Sequence, residues 1–153
     1  MRNIIIIILV FGAACMWACS KKLADPGGTA AQQLANEWWV KINDTGSVVK
    51  LSTYNTTLNA DSMWVDDLKH LHKFKCKAKI DVSALTFSTQ NAVNLYSGVT
   101  VNINNGKIIK NGGVTKTGNV VDSIYMEVEF SDAVGVKNKI AGVARTRWDD
   151  DDY

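Results

Sequence analysis

The residues best placed to do chemistry in this sequence are its two histidines, which closely follow two aspartates. Asp66 and Asp67 come first, and His70 and His72 come shortly after. A histidine oriented by a carboxylate can act as a general base, as ester hydrolysis requires. These four residues are therefore the candidates for catalysis, although the sequence has no Gly-x-Ser-x-Gly nucleophile motif. Zinc usually takes three or four protein ligands, and no second cluster of His and Cys residues is visible, so we predict no metal and no cofactor. We expect both histidines to lie in a solvated loop and assign no catalytic residue, and a catalytic role for these four residues is the alternative.

A second reactive position is Cys19, near the N-terminus. Arg2 precedes an apolar run over residues 4–18, and Cys19 follows that run directly. A run of about 15 residues is short for a membrane-spanning helix, which needs about 20. A positive start, an apolar centre and small residues before the cysteine are typical of a secretory signal. The segment resembles the signal sequences of bacterial lipoproteins, in which this cysteine is diacylated before cleavage.

Cys15 is the alternative lipid acceptor, and an uncleaved anchor helix is the alternative to a signal peptide. Lys21 and Lys22 mark a polar boundary directly after Cys19, which favours Cys19 over Cys15. Two or three acyl chains anchor a protein stably where one does not. We therefore predict that Cys19 carries lipid and holds the protein on the membrane.

The expected domain organisation has three parts: a lipoprotein signal peptide over residues 1–18, the lipidated cysteine and a tether over residues 19–29, and one domain over residues 30–153. The expected location is the outer membrane of a Gram-negative envelope. The first acidic residue after the cysteine is Asp25, whereas related surface lipoproteins carry acidic residues directly behind it. We therefore expect the periplasmic face.

The composition excludes some classes of partner. Seventeen basic and 15 acidic residues give a formal net charge of +2, which indicates neither nucleic-acid nor polybasic membrane binding. Cys76 is left unpaired by the lipidation of Cys19, and its place in an apolar alternation favours a small buried hydrophobe over a reactive thiol. The tail over residues 149–152 is acidic, and we expect it to be solvated and frayed.

Alternation of apolar and polar residues predicts a sheet protein. In residues 73–81 one face carries Phe74, Cys76, Ala78 and Ile80, and the other carries Lys73, Lys75, Lys77 and Lys79. A slip of one residue would bury four ammonium groups, so this register is fixed. Similar patterns recur over residues 34–43, 48–54, 63–65, 83–88, 98–104, 107–110, 122–130 and 139–148. About eight to ten strands separated by turn signals predict a meandering barrel or a sandwich.

Two connections are also predicted. Asn105-Gly106 is the strongest hairpin signal, a type I′ turn, and residues 90–97 are expected to be a loop or a brief helical turn. Residues 30–34 have a faint signal for one helical turn.

Several segments together resemble the envelope lipoprotein family described as "lipid-binding putative hydrolase". They are Cys19-Ser20-Lys21-Lys22, Asp25-Pro26-Gly27-Gly28-Thr29-Ala30, Glu37-Trp38-Trp39-Val40, Thr53-Tyr54-Asn55, Met63-Trp64-Val65-Asp66-Asp67, Asn105-Gly106-Lys107, Asp122-Ser123-Ile124-Tyr125 and Glu129-Phe130-Ser131-Asp132. The resemblance implies an all-β fold with a single lipocalin-like (calycin-like) antiparallel up-and-down barrel. Asn36-Glu37-Trp38 stands where lipocalins carry Gly-x-Trp, and Arg145 or Arg147 is the expected cation–π partner of Trp38.

A barrel of about eight strands can hold one small ligand when side chains do not fill it. The residues expected to line such a cavity are Trp38, Trp64, Phe74, Cys76, Ala78, Met126, Val128, Gly142, Ala144 and Arg145. We therefore expect a monomer that binds a lipid or another small apolar ligand inside the barrel. The alternatives are an interior filled by Trp38, Trp64, Met126 and Phe130, an esterase-like hydrolase, and a structural protein that binds partners through outward Trp39 and Tyr125.

Overall fold

The computed structural model describes residues 27–58 and 61–153, so the predicted signal peptide and Cys19 lie outside the described residues. Eight strands follow one another along the chain: β1 (Asn36–Ile42), β2 (Thr45–Asn55), β3 (Ser62–Asp66), β4 (Lys75–Asp81), β5 (Thr86–Val93), β6 (Thr100–Val114), β7 (Val120–Phe130) and β8 (Asn138–Ala144). Short 3-10 turns over Gln32–Leu34 and Asp149–Asp151 flank them. A search of the described residues finds no helix of the length and hydropathy needed to span a membrane.

Each strand pairs antiparallel with the next, and β8 returns to pair with β1, which closes the barrel. The predicted all-β, lipocalin-like up-and-down barrel is confirmed. The closing seam joins Trp38 to Ala144 and Val40 to Gly142. A side chain at Gly142 would overlap the carbonyl of Trp39 and come within 2.6 Å of the Val40 Cα atom. Glycine is therefore the residue that lets β8 approach β1 this closely.

The hydrophobic core lies inside the barrel and is built from the alternating residues. Over residues 73–81 the four predicted apolar residues are buried, and the four lysines at positions 73, 75, 77 and 79 are not. The 3-10 turn confirms the faint helical signal near residue 30 and closes one end of the barrel with Ala31 and Leu34, both fully buried. Leu71 packs against the core from the connection between β3 and β4.

The predicted hairpin at Asn105-Gly106 is wrong. β6 runs through both residues as one strand, and Asn105 takes its left-handed φ of 54° at a register shift rather than in a turn. Gly106 pairs with Phe87, and a Cβ at Gly106 would lie 2.6 Å from the Phe87 ring. The glycine thus leaves room for an aromatic ring across the sheet. The expected loop over residues 90–97 is also wrong in part, because β5 continues to Val93.

The acidic tail is not frayed. Asp151 is buried and accepts hydrogen bonds from the Thr117 backbone N–H, the Thr117 hydroxyl and the Thr146 hydroxyl at 3.0, 2.7 and 2.8 Å. Burial raises the pKa of Asp151, but these hydroxyl donors and Thr115 outweigh burial and lower the pKa below its usual range. The chain therefore folds back onto the turn between β6 and β7.

Candidate functional site

Most of the residues expected to line the interior do face it. The buried ones are Trp38, Phe74, Cys76, Ala78, Met126, Val128 and Ala144, and the register places Gly142 on the same face as buried Val40. The indole N–H of Trp38 donates to the Thr53 hydroxyl at 2.8 Å, which satisfies its one buried polar group. Burial raises the pKa of the Cys76 thiol to about 12, so Cys76 is a packing residue at neutral pH.

Two of the expected interior residues lie outside the barrel. Trp64 alternates with buried Met63 and Val65 and therefore points outward, where the Lys77 ammonium lies 5.1 Å from its ring centroid. Arg145 lies over Trp39 rather than Trp38, with its guanidinium carbon 5.7 Å from the ring centroid.

Arg145 also contacts acids on the outer surface. It forms an ion pair with Glu37 at 2.9 Å and a second with Asp152, and Tyr153 packs edge-on against Trp39. Trp39 is consequently covered and is not the exposed contact residue that was expected. The last strand pattern was expected to run to residue 148, but β8 ends at Ala144 and the Trp148 side chain is 72% exposed.

Side chains from all eight strands meet in one continuous core. Besides the residues already placed, it includes Leu51, Val65, Phe87, Val101, Ile103, Ile124, Phe130 and Ile140. An eight-stranded barrel is just wide enough for its side chains to fill, and here large apolar groups from opposite walls occupy it.

The histidine and aspartate candidates do not assemble a catalytic dyad. The Asp67 carboxylate, fully buried, accepts hydrogen bonds from the backbone N–H groups of Lys69 and His72 at 2.8 and 2.9 Å. The His72 ring packs on Phe130, with centroids 4.9 Å apart. Within residues 27–58 and 61–153 neither imidazole hydrogen-bonds to a carboxylate, and no group of three or more His, Cys, Asp or Glu residues could hold a metal ion. Asp67 therefore shapes the loop that follows β3.

Asp66 organises a second cluster, on the outer wall. Its carboxylate is 3% exposed and accepts hydrogen bonds from the hydroxyls of Tyr54 and Tyr96 at 2.9 and 2.8 Å and from the Leu68 backbone N–H at 2.9 Å. The Lys75 ammonium lies 3.4 Å away. Burial raises the pKa of Asp66, but these donors outweigh it, so the pKa lies below its usual value.

Beside this cluster the barrel wall parts between β4 and β5. The two strands pair only where Lys79–Asp81 of β4 meets Thr86–Ser88 of β5. Farther along, β5 continues beside β6, where the β5–β6 register shifts twice and Asn91 takes a φ of 49°. Contact with β4 resumes at Lys75, whose carbonyl accepts from the Leu95 backbone N–H at 2.9 Å.

The gap holds a cavity of about 400 Å³, here named the β4–β5 slot. Its lining residues are Trp64, Lys77, Thr89, Ala92, Val93 and Leu95. Ala92 packs against the core, so the floor of the slot is apolar. Val93 and Leu95 are 71% and 56% exposed. Clustered exposed apolar residues with a few polar groups at the edge are typical of a ligand site.

Sequence reasoning missed the slot because three of its six lining residues fell in the expected loop over residues 90–97. The available signal was Ala92, Val93 and Leu95, three apolar residues in an otherwise polar stretch. Only Trp64 and Lys77 had been singled out, Trp64 for the interior and Lys77 as part of the lysine face.

A larger outer groove, of about 640 Å³, crosses β4 to β7 nearer the opposite end of the barrel. Its charged lining residues are Lys79, Lys107, Asp81 and Glu127. Two positive and two negative groups give this groove no preference for either sign of charge.

The described residues form a closed eight-stranded barrel with an apolar slot in its wall. The model of the family described as "lipid-binding putative hydrolase" matches residues 23–149, which is most of the chain. The chain therefore belongs to that family, as its resemblance predicted. Family membership and the barrel together support lipid binding as its function. No curated protein matches the chain.

Proposed function

We propose that this protein is a lipid-binding lipoprotein, anchored by acyl chains on Cys19 at the periplasmic face of a Gram-negative outer membrane, and that the apolar part of its ligand lies in the β4–β5 slot. The observation that carries the proposal is the slot itself. It is an opening in the barrel wall whose apolar floor packs against the core, where lipid can enter from the outer surface.

The energetics of the slot fit a membrane-tethered binder. Burying an exposed Val or Leu side chain stabilises a complex by about 1.5–3 kcal/mol, and Val93 and Leu95 are already partly covered. An acyl chain over both would gain about 2–4 kcal/mol, which corresponds to weak, millimolar-range affinity. A tether raises the local lipid concentration, so weak affinity is sufficient beside a membrane.

Contact between the slot and an acyl chain can be tested by fluorescence quenching. Full-length protein would be purified from a Gram-negative host and reconstituted in vesicles in which a minor fraction of the phospholipid carries brominated acyl chains, which quench tryptophan on contact. We expect quenching that Trp64→Phe removes and that Trp148→Phe leaves in place, because Trp64 lines the slot and Trp148 does not. Equal quenching of the native protein and Trp64→Phe would refute the slot as the lipid site.

Anchoring requires a separate test. We expect Cys19→Ser to abolish metabolic labelling with a palmitate analogue and to release the protein from the membrane fraction, with Cys15→Ser as the matched control that keeps both. Protease added to intact cells should leave the domain untouched if the periplasmic placement is correct. Labelling that survives Cys19→Ser would overturn the assigned lipid acceptor.

A further inference from the structure

We infer that the β4–β5 slot selects lipids with an anionic headgroup, and that Lys77, assisted by Lys75, binds that headgroup. The inference rests on the proposed function, because it names the class of lipid that the same slot takes.

The outer face of β4 carries more positive charge than its surroundings neutralise. Lys75 lies 3.4 Å from the buried carboxylate of Asp66. Among the residues that the structure describes, Lys77 and Lys79 have no carboxylate within ion-pairing distance. Lys77 also lines the slot. The unpaired positive charge therefore lies at the edge of the apolar cavity, where an anion on the end of an acyl chain would meet it.

Both lysines lie close to the Trp64 ring. Lys75 and Lys77 lie 5.4 and 5.1 Å from its ring centroid. The π electrons of the ring attract each cation, so both ammonium groups are held near the outward indole at the slot. An anionic phosphate beside the ring would be attracted by both ammonium groups.

The position of Lys75 is itself restrained. Its ammonium interacts with Tyr54 and Asp66, and the hydrogen bond with Tyr54 is the largest cause that raises the pKa of Lys75 above its usual value. A cation held in place before the ligand arrives loses less side-chain entropy on binding. The Asp66 cluster thus prepares one side of the headgroup position.

The slot favours a lipid over a free anion because its floor is apolar. Ala92 packs on the core, and Val93 and Leu95 expose apolar surface that inorganic phosphate cannot cover. The larger groove along the same wall has equal numbers of positive and negative charges and lacks this asymmetry. The two features together, an apolar cavity and an unpaired cation at its edge, match the two ends of an anionic lipid.

The test compares two brominated lipids of the same acyl length. Full-length protein would be reconstituted in phosphatidylcholine vesicles with a minor fraction of brominated phosphatidylglycerol or of brominated phosphatidylcholine, and the signal is the quenching that Trp64→Phe removes. One lysine at a membrane surface contributes about fivefold in affinity for an anionic lipid. We expect phosphatidylglycerol to be preferred at least fivefold, Lys77→Met to reduce that preference about fivefold, and Lys77→Arg to restore it.

Controls separate this site from general charge attraction. Lys41→Met removes the same charge from an exposed position on β1 and should leave the preference unchanged, and added inorganic phosphate should not displace the lipid at matched ionic strength. Equal quenching by both lipids overturns the headgroup inference and leaves the slot proposal standing. The headgroup inference is also overturned if Lys41→Met and Lys77→Met reduce the preference for phosphatidylglycerol equally, or if inorganic phosphate displaces the lipid. Failure of both lipids to quench Trp64 removes the proposed function itself.

Discussion

Replacing Asp66 is expected to destabilise the domain strongly, because its carboxylate joins three separate parts of the outer wall. The hydroxyl of Tyr54 comes from β2, that of Tyr96 from the loop after β5, and the backbone N–H of Leu68 from the loop after β3. A hydrogen bond to a charged acceptor contributes about 1.5–3 kcal/mol. In Asp66→Ala all three donors lose their acceptor together, and Lys75 loses its counter-ion.

The expected magnitude is smaller than the sum of these bonds. The two tyrosines are only partly buried, so their hydroxyls can turn to water when the carboxylate is removed. Removing one partner of a buried charged pair typically costs about 3–5 kcal/mol, and we expect Asp66→Ala to fall in that range. For a domain of this size it corresponds to a fall of about 10–15 °C in the melting temperature. Tyr54→Phe and Tyr96→Phe each remove one bond and should cost about 1–2 kcal/mol.

The assay is urea unfolding followed by circular dichroism, at several pH values. A carboxylate whose folded pKa is lowered contributes stability above its unfolded pKa, near 3.9, and loses that contribution as the pH falls through the folded pKa. The native protein should therefore exceed the isosteric Asp66→Asn in free energy of unfolding by the whole amount at pH 7, and this difference should shrink below about pH 4. A loss under about 1 kcal/mol in Asp66→Ala, or a difference from Asp66→Asn that does not change with pH, would refute the reasoning.

Three further predictions concern other parts of the barrel. Gly142→Ala should destabilise by about 1–3 kcal/mol through overlap with β1, whereas Gly98→Ala, which meets no atom within 4 Å, should be neutral in the same urea titration. The Cys76 thiol should resist a thiol-specific reagent at pH 8 until urea unfolds the protein, and rapid labelling without denaturant would contradict its burial. Because the folded pKa of Cys76, about 12, exceeds the unfolded value, the free energy of unfolding should fall as the pH rises above about 9. Asp151→Asn should lower the thermal midpoint at pH 7 more than the exposed Asp149→Asn does, and the difference should shrink in acid because the pKa of Asp151 is lowered; equal midpoints at pH 7 would show that the threonine contacts of Asp151 contribute nothing.

Strands with strict alternation were predictable from the sequence. Lysines alternate with apolar residues over Lys75–Ile80 of β4, so burying the apolar set costs far less than burying the lysines. The structure buries the apolar set. β3 is different, because Met63, Trp64 and Val65 are three apolar residues in a row. Local pattern cannot decide the phase of such a strand. Pairing with Lys77 across the sheet places Trp64 outside.

The slot and the acidic tail depend on contacts between distant parts of the chain. β5 departs from β4 because it follows β6, with Ala92 opposite Val101. Asp151 is ordered by Thr117, 34 positions earlier in the chain. Neither partner is recognisable from local composition, so the sequence predicted a loop for the first region and a solvated tail for the second.

The seam between β1 and β8 has a consequence for the order in which the molecule folds. It pairs residues about 100 positions apart, such as Trp38 and Ala144, and closing a loop of that length costs about 4 kcal/mol of chain entropy. Strand pairings between neighbours in sequence form faster than such long-range ones. The barrel can close only after β8 has been synthesised, so β1 keeps one edge unpaired until the other seven strands are in place.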